Sequence, residues 1–310
     1  ASVKAGQLRM EFGKKNTANQ LPISPSLFKS AYYDEAFNQG SSHEYRVINQ
    51  LEGHSDGLTD LEFSPDGELI ASASRDNKIE LSNRDGKLLH TFEGHSDAVW
   101  DVEFSSDGEL IASASEDTTI KLWNRDEKLL HTLEGHSYRV TDVEFSPDGE
   151  LIASASEDTT IKLWNREGKL LHTLEGHSSG VTDVEFSPDG ELIASASYDE
   201  TIKLWNREGK LLDTLEGHSS SVENVEFSPD GQILASASRG DGIKLWNRDS
   251  ELLVTMGHSD VVEDVEFSPD GQHLISAAQL RIDLWSIKLE TLHAWTCNWL
   301  KDYLTHNASV

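Results

Sequence analysis

Several kinds of residue are scarce in this 310-residue chain, and each scarcity excludes a class of structure or site. Cys297 is the only cysteine, so an internal disulfide is excluded, no Cys/His cluster has zinc-site spacing, and a cytoplasmic setting is favoured. No apolar run is long enough to span a bilayer, and no secretory signal pattern opens the chain. The chain begins with Ala1 rather than Met, which suggests a piece of a longer protein.

Basic residues are also few, because 26 Lys and Arg stand against 55 Asp and Glu and the formal net charge is −29. A negative field repels phosphate groups, so nucleic acid and anionic membranes are poor partners. The acids are spread through the chain rather than collected in a tail, so they do not indicate disorder. The 36% hydrophobic content is that of a globular protein with a core.

What the sequence has in abundance is repetition. A Gly-His pair opens each of six units, and successive pairs are 41 residues apart except the last, which follows after 40. The pairs are Gly53-His54, Gly94-His95, Gly135-His136, Gly176-His177, Gly217-His218 and Gly257-His258. The third unit reads GHSYRVTDVEFSPDGELIASASEDTTIKLWNREGKLLHTLE, and the others are variants of it. Repetition of this fidelity predicts a repeat architecture.

Each unit predicts four short strands. In the third unit these are VTDVEF, LIASAS, IKLWN and KLLHTL. Pro147-Asp148-Gly149 turns the chain after the first strand, because proline presets one turn dihedral and glycine tolerates positive φ. A tight turn at 157–159 precedes the third strand. Strands of about six residues at roughly ten-residue spacing predict an all-β fold.

The period of the units, with Gly-His early and a Trp-containing strand late, is typical of propeller blades. On these motifs residues 45–287 resemble the WD-repeat family, which implies a β-propeller. The Trp-Asp pair of that family is Trp-Asn in four units, as at Trp123-Asn124. The last unit has Trp285-Ser286, and the first has Ser82-Asn83 without any Trp.

The number of blades follows from the outer strands. The sixth unit lacks a clear fourth strand, but residues 45–51 align with KLLHTL and would complete that blade, as in the usual clasp of the family. The sequence therefore favours six blades. Seven blades are the alternative, which would need about thirty residues of strand upstream, and residues 14–44 show no alternation of apolar and polar side chains.

Two extensions flank the propeller. Residues 1–44 predict a partly helical N-terminal extension, and residues 288–310 predict an amphipathic C-terminal helix. Its apolar stripe would pack on the propeller or on the N-terminal helix, or contact another protein; the stripe consists of Leu292, Trp295, Trp299 and Tyr303. Both extensions are similar to segments that border the propeller in multidomain bacterial, especially cyanobacterial, WD-repeat signalling proteins.

The resemblance also implies a structural role for a repeated set of polar residues. In WD repeats the Gly-His histidine, a Ser on the second strand, the tight-turn Asp and the Trp form a hydrogen-bonded network, which satisfies polar groups that are buried. The network would comprise His95, Ser113, Asp117 and Trp123, then His136, Ser154, Asp158 and Trp164, then His177, Ser195, Asp199 and Trp205. We predict no catalytic residue, no resident metal and no cofactor among them.

The network is unequal around the ring. The first unit has Ser82 in place of the Trp, the fifth displaces its turn aspartate by one residue to Asp241, and the sixth lacks that aspartate. We therefore predict that the first and sixth blades are less rigid than the second to fourth.

Acidic residues recur on the first strand, which lines the channel of a propeller, with one Asn in their place in the fifth unit. Two sets are Asp60, Asp101, Asp142, Asp183, Asn224 and Asp264, and Glu62, Glu103, Glu144, Glu185, Glu226 and Glu266. Rings of carboxylates could hold a divalent cation such as Ca²⁺ or Mg²⁺. Bonds from the carboxylates to neighbouring backbone N–H groups, or a water-filled channel, are the alternatives.

The family resemblance places partner binding on the top face, near the channel mouth, where the units differ most from one another. The candidate residues are Arg75, Trp100, Glu116, Arg139, Glu157, Tyr198, Glu223, Arg239 and Glu263. Aromatic and Arg side chains are enriched in binding hot spots. The sequence thus predicts a non-catalytic protein-interaction scaffold or ligand sensor, within a larger signalling protein. An enzyme acting at the propeller mouth and a purely structural or oligomerisation unit are the alternatives.

Overall fold

The computed structural model describes residues 53–258, 261–278 and 281–287. Within these ranges 23 strands form six antiparallel sheets, each ordered as its strands follow in the chain. No helix that could cross a membrane is found in them. The predicted all-β propeller with six blades is confirmed. The predicted outer strand at 45–51 and the two terminal extensions lie outside the described residues.

Five sheets have four described strands and the sixth has three. The first contains β1 (Leu58–Phe63), β2 (Leu69–Ser74), β3 (Lys78–Asn83) and β4 (Leu88–Glu93), and the second β5 (Val99–Phe104), β6 (Leu110–Ser115), β7 (Ile120–Asn124) and β8 (Leu129–Leu133). The third contains β9 (Val140–Phe145), β10 (Leu151–Ser156), β11 (Thr160–Asn165) and β12 (Leu170–Glu175), and the fourth β13 (Val181–Phe186), β14 (Leu192–Ser197), β15 (Ile202–Asn206) and β16 (Leu211–Leu215). The fifth contains β17 (Val222–Phe227), β18 (Ile233–Ser238), β19 (Gly242–Asn247) and β20 (Leu252–Met256), and the sixth β21 (Val262–Phe267), β22 (His273–Ala278) and β23 (Arg281–Ser286).

The Ser-Pro-Asp-Gly stretch, which is Ser-Ser-Asp-Gly in the second unit, explains the first turn of each unit. In the third sheet the Ser146 hydroxyl donates to Asp148 Oδ1 at 2.6 Å and accepts the Leu151 N–H at 2.9 Å. Gly149 has φ of 71°, a conformation that residues with a side chain rarely adopt. This closed set of bonds fixes the hairpin between β9 and β10, and its near-copies recur around the ring.

The asparagine that replaces the aspartate of the Trp-Asp pair also builds a turn. Asn124 ends β7, and its Oδ1 accepts the backbone N–H groups of Asp126 at 3.1 Å and Lys128 at 2.9 Å. A short polar side chain that bonds to the backbone beyond it is a typical turn former. The departure from the family motif therefore preserves the connection between the third and fourth strands.

The core is divided into clusters that adjacent sheets share. Ile161 and Leu163 on β11 pack with Val181 and Trp205 of the next sheet, and each of the four is at most 1% exposed. A sheet alone could not bury this face, so stacking of neighbouring blades supplies most of the apolar burial.

The sixth and first sheets expose apolar side chains at positions that the central sheets bury. On β23, Ile282 is 58% exposed and Leu284 is 50% exposed, whereas the equivalent Ile161 and Leu163 are fully buried. On β1, Leu58 is 40% exposed. Each end of the repeat array therefore has partly exposed apolar side chains on the side that the other sheets use for packing against a neighbour.

Candidate functional site

The four side chains of the predicted network meet in the second, third and fourth sheets. In the third, the Trp164 indole donates to Ser154 Oγ at 2.9 Å, and Ser154 Oγ lies 2.8 Å from His136 Nε2. The other imidazole nitrogen, Nδ1, lies 2.8 Å from Asp158 Oδ2. A neutral imidazole protonated on Nδ1 satisfies all of these groups at once. The same contacts occur among His95, Ser113, Asp117 and Trp123, and among His177, Ser195, Asp199 and Trp205.

Electrostatics favour this neutral imidazole. Burial lowers the pKa of His136, and the neighbouring Asp158 opposes that shift only in part. Burial by itself would raise the pKa of Asp158, but hydrogen bonds from His136 and Thr160 outweigh it and hold the pKa well below its ordinary value. Ser154 and the His136 side chain are completely buried, so neither can meet a substrate without opening the blade. The arrangement suits a structural network.

The fifth and sixth sheets reach the same network by other routes. His218 Nδ1 contacts Asp241 Oδ1 at 2.8 Å, so the displaced turn aspartate still pairs with the histidine. The sixth sheet lacks the turn aspartate, as its sequence shows, but His258 Nε2 contacts Asp283 Oδ2 on β23 at 2.8 Å. Asp283 was not among the candidate residues. The sequence could have indicated it, because it places an acid at the third-strand position where the central units have Lys.

The aspartates of the channel strands link neighbouring sheets. Asp142 Oδ2 accepts the backbone N–H of Val184 at 3.0 Å, which joins β9 to β13. Equivalent bonds join Asp60 to Val102, Asp101 to Val143, Asp183 to Val225, and Asn224 to Val265. Bonding to backbone N–H groups, one of the alternatives to cation binding, thus accounts for a carboxylate oxygen in each of these four aspartates.

The six glutamates surround the central cavity. Glu62, Glu103, Glu144, Glu185, Glu226 and Glu266 line a space of about 140 Å³ between the first strands of the sheets. No group of three or more His, Cys, Asp or Glu side chains with the geometry of a metal site is found within the described ranges. The cation hypothesis stays a prediction, and it now concerns these glutamates rather than the aspartates.

The nine top-face candidates lie along an arc from the first sheet to the sixth, which we call the top belt. Trp100 on β5 is its centre. The Arg75 guanidinium lies 5.2 Å from the centre of the indole, the Arg139 guanidinium lies 4.9 Å from it, and the indole N–H donates to Glu116 at 2.7 Å. Trp100 is half-buried rather than fully open. Contacts of this kind fix an aromatic side chain in one orientation.

Ion pairs continue the top belt beyond Trp100. Arg139 contacts Glu157 at 2.7 Å, and Arg239 contacts both carboxylate oxygens of Glu223, at 2.8 and 3.0 Å. Tyr198 lies between these pairs: burial raises the pKa of its phenol, Glu223 adds to the shift, and Arg139 and Arg239 oppose it.

Glu263 ends the arc on the sixth sheet. Burial raises the pKa of its carboxyl, while Arg239 lowers it and Glu223 raises it. The top belt thus couples residues of all six sheets through contact or charge.

Six sheets around a channel, five of which contain a Trp whose indole donates to the serine of the network, define a β-propeller built from homologous blades. The family model described as "WD domain, G-beta repeat" matches residues 45–81, 86–124, 127–165, 168–206, 209–247 and 250–286. The chain therefore belongs to the WD-repeat family, whose repeats generally mediate protein–protein interactions. A comparison with curated proteins gives no significant match.

Proposed function

We propose that this chain is a non-catalytic scaffold that binds a protein partner through the top belt, as one module of a larger signalling protein. The observation that supports the proposal is the contact of Trp100 with the guanidinium groups of Arg75 and Arg139, which come from the sheets on either side of its own. The single cysteine favours a cytoplasmic setting for this module.

The composition of the top belt suits an interface. It holds one Trp, one Tyr and three Arg, the residue types that dominate binding hot spots. Trp100 and Tyr198 are half-buried, and Trp100 is held by Arg75, Arg139 and Glu116, so little conformational entropy of the indole would be lost when a partner covers it. Glu157 and Glu223 pair with two of the arginines, and the glutamates supply the polar groups of an interface rim.

The contacts favour this function over the two alternatives. An enzyme at the propeller mouth needs a nucleophile or base that can reach a substrate, but the repeated Ser and His side chains of the central sheets are buried in their networks. A purely structural unit would not need a surface Trp that contacts guanidinium groups from two neighbouring sheets. The regular blades then serve to position the irregular residues of the top belt.

Quantitative affinity purification with wild type, Trp100→Ala and Arg207→Ala, followed by calorimetry with purified partner, tests this function. Arg207 is the matched control, because it forms an ion pair with Asp148 at 2.7 Å on the opposite, bottom face. Trp100→Ala should weaken binding by about 30-fold or more, as expected for a hot spot, and leave the melting temperature within a few degrees. Arg207→Ala should bind like wild type.

A partner whose affinity is unchanged by Trp100→Ala, or is lost in Arg207→Ala, would place the interface elsewhere and contradict the proposal. A hydrolytic or transfer activity that Trp100→Ala abolishes would favour the enzyme alternative instead.

A further inference from the structure

The three arginines of the top belt differ in what neutralises them. Arg139 contacts Glu157, and Arg239 forms a two-point contact with Glu223. Arg75 has neither an ion pair nor a side-chain hydrogen bond in the described part of the chain. In a protein with a net charge of −29, a half-buried guanidinium without a carboxylate partner is an exception that invites an external anion.

The position of Arg75 is nevertheless fixed. Its guanidinium lies 5.2 Å from the centre of the Trp100 ring. The indole is itself held in place by the Arg139 guanidinium and by its hydrogen bond to Glu116. Contact with an aromatic face uses none of the five guanidinium N–H groups, so all of them stay available to an acceptor. A guanidinium that is held in place with its donors unused is pre-organised for a planar anion.

A second unused donor belongs to Arg139, the other arginine over the indole. The Nε of Arg139 is buried without a hydrogen-bond acceptor, although the terminal nitrogens of the same guanidinium contact Glu157 and Glu116. The surface around Trp100 therefore has more donors than its own carboxylates satisfy, and Arg75 of the first sheet is the arginine whose whole guanidinium has no acceptor among the described residues.

We infer that Arg75 is the docking point for a carboxylate, an Asp or Glu side chain of the protein partner that also covers Trp100. The inference rests on the proposed function and adds the chemistry of the partner. The guanidinium fork matches a carboxylate in a two-point contact. A phosphate dianion fits less well, because Arg75 offers one positive charge and the protein as a whole repels the second negative charge.

A basic partner segment is the opposite reading, and the contacts weigh against it. The net charge of −29 would attract such a segment at long range. At the surface itself, Glu157 and Glu223 are already paired with arginines, and Glu116 accepts the Trp100 indole N–H. A lysine placed here would have to displace one of these contacts and would lie close to Arg75.

Selection from a display library of random 12-residue peptides on the purified full chain tests the inference. Enriched peptides would be resynthesised with each Asp or Glu replaced by Asn or Gln, by Lys, or by phosphoserine, and their affinities measured by fluorescence anisotropy. One carboxylate should prove necessary, with a loss of about tenfold on neutralisation, the size of one charge-assisted bond. Tighter binding of the phosphoserine peptide, or retained binding of the Lys peptide, would overturn the assignment.

Variants of the chain locate the carboxylate. Arg75→Gln should lose about tenfold for the acidic peptide and nothing for its neutralised form, whereas Arg75→Lys should keep part of the affinity because it keeps the charge without the fork. Equal losses for both peptides would contradict a contact between Arg75 and the carboxylate. Circular dichroism of each variant checks that the propeller is folded.

The same experiment separates this inference from the proposed function. Peptides that lose binding in Trp100→Ala but need no carboxylate would overturn the role of Arg75 and support the top belt as the interface. Peptides that bind Trp100→Ala as well as wild type would overturn both.

Discussion

His258 contacts Asp283 through Nε2, at 2.8 Å, whereas the histidines of the first five sheets contact their aspartates through Nδ1. The acid comes from the third strand rather than from the tight turn. Asp283 stands where the second to fifth units have a buried Lys, and Glu80 stands there in the first unit. Both ends of the repeat array therefore place a carboxylate beside the histidine, and Glu80 lies 3.9 Å from His54.

Replacement of Asp283 tests whether it supports the sixth sheet. Asp283→Asn should lower the free energy of unfolding by about 1–3 kcal/mol, because the buried imidazole of His258 would lose its charged acceptor. Urea unfolding measures the change. Asp249→Asn, at an exposed turn position in the fifth unit, is the control and should differ little from wild type. Equal stability of the two variants would contradict the role of Asp283.

The first unit can be restored to the pattern of the others. The Glu80 carboxylate occupies the space beside Gly53, whereas in the second unit the Trp123 ring lies against Gly94. Glu80→Lys together with Ser82→Trp should stabilise the protein by about 1–2 kcal/mol, as consensus substitutions commonly do.

The two positions of the first unit should not act independently. Ser82→Trp alone should stabilise little or destabilise, because the new ring would meet Glu80. A double-mutant cycle from chemical unfolding measures this coupling, and simple additivity of the two changes would contradict the account of Glu80.

The tight turns contain residues in an unfavourable conformation. Thr159 has φ of 74°, in a region where a β-branched residue is strained, and its equivalent in the first unit is Asn77, with φ of 69°. Thr159→Gly should therefore raise the free energy of unfolding by about 1 kcal/mol. Thr159→Ala keeps the Cβ and is the control, so it should gain less. Thermal unfolding compares the two, and a larger gain for Ala would refute the strain.

The buried pairs predict a loss of stability in acid. Burial lowers the pKa of His218 below its unfolded value, so the unfolded chain binds more protons as the pH falls below about 6.5. Hydrogen bonds from His218 and Lys244, which outweigh burial, lower the pKa of Asp241 to about 2, so its contribution is lost between about pH 4 and pH 2.

Stability should be flat above about pH 7 and fall in two stages below it. Urea unfolding in about 0.5 M NaCl measures this while salt screens the general repulsion of a chain with a net charge of −29. Stability that rises steadily from pH 7 to pH 5 under these conditions would contradict the buried neutral histidines.

The ends of the repeat array should open more readily than its middle. Ile282 is 58% exposed and Leu284 is 50% exposed, whereas Ile161 and Leu163 are fully buried. Apolar burial therefore stabilises the sixth sheet less than the third, and the sixth sheet should open more easily. Amide hydrogen exchange should be faster in the first and sixth sheets than in the second to fourth. Slower exchange at the ends would contradict the weaker stabilisation of these two sheets.

The sequence by itself determined the architecture, because the pattern is local. Each unit carries its own turn residues, such as Pro147 and Gly149, and its own alternation, so the strands follow from short-range preferences repeated six times. The Gly-His histidine, the Ser, the turn Asp and the Trp could be assigned because they recur at fixed positions. Asp283 could not be assigned from the sequence, because it lies on the third strand and takes the role that an aspartate of the tight turn has in the other units. Only the folded sheet brings it to His258.

The tertiary structure alone decided how neighbouring units act on one another. The sequence marked Trp100, Arg75 and Arg139 as irregular, but it could not show that they form one stack, because 25 and 39 residues separate the two arginines from Trp100 and the contacts depend on how the sheets pack. The same holds for the channel aspartates, whose backbone partners lie one blade further on. Periodicity fixes what lies within a blade, whereas packing between blades fixes which charges meet and which, like that of Arg75, stay available.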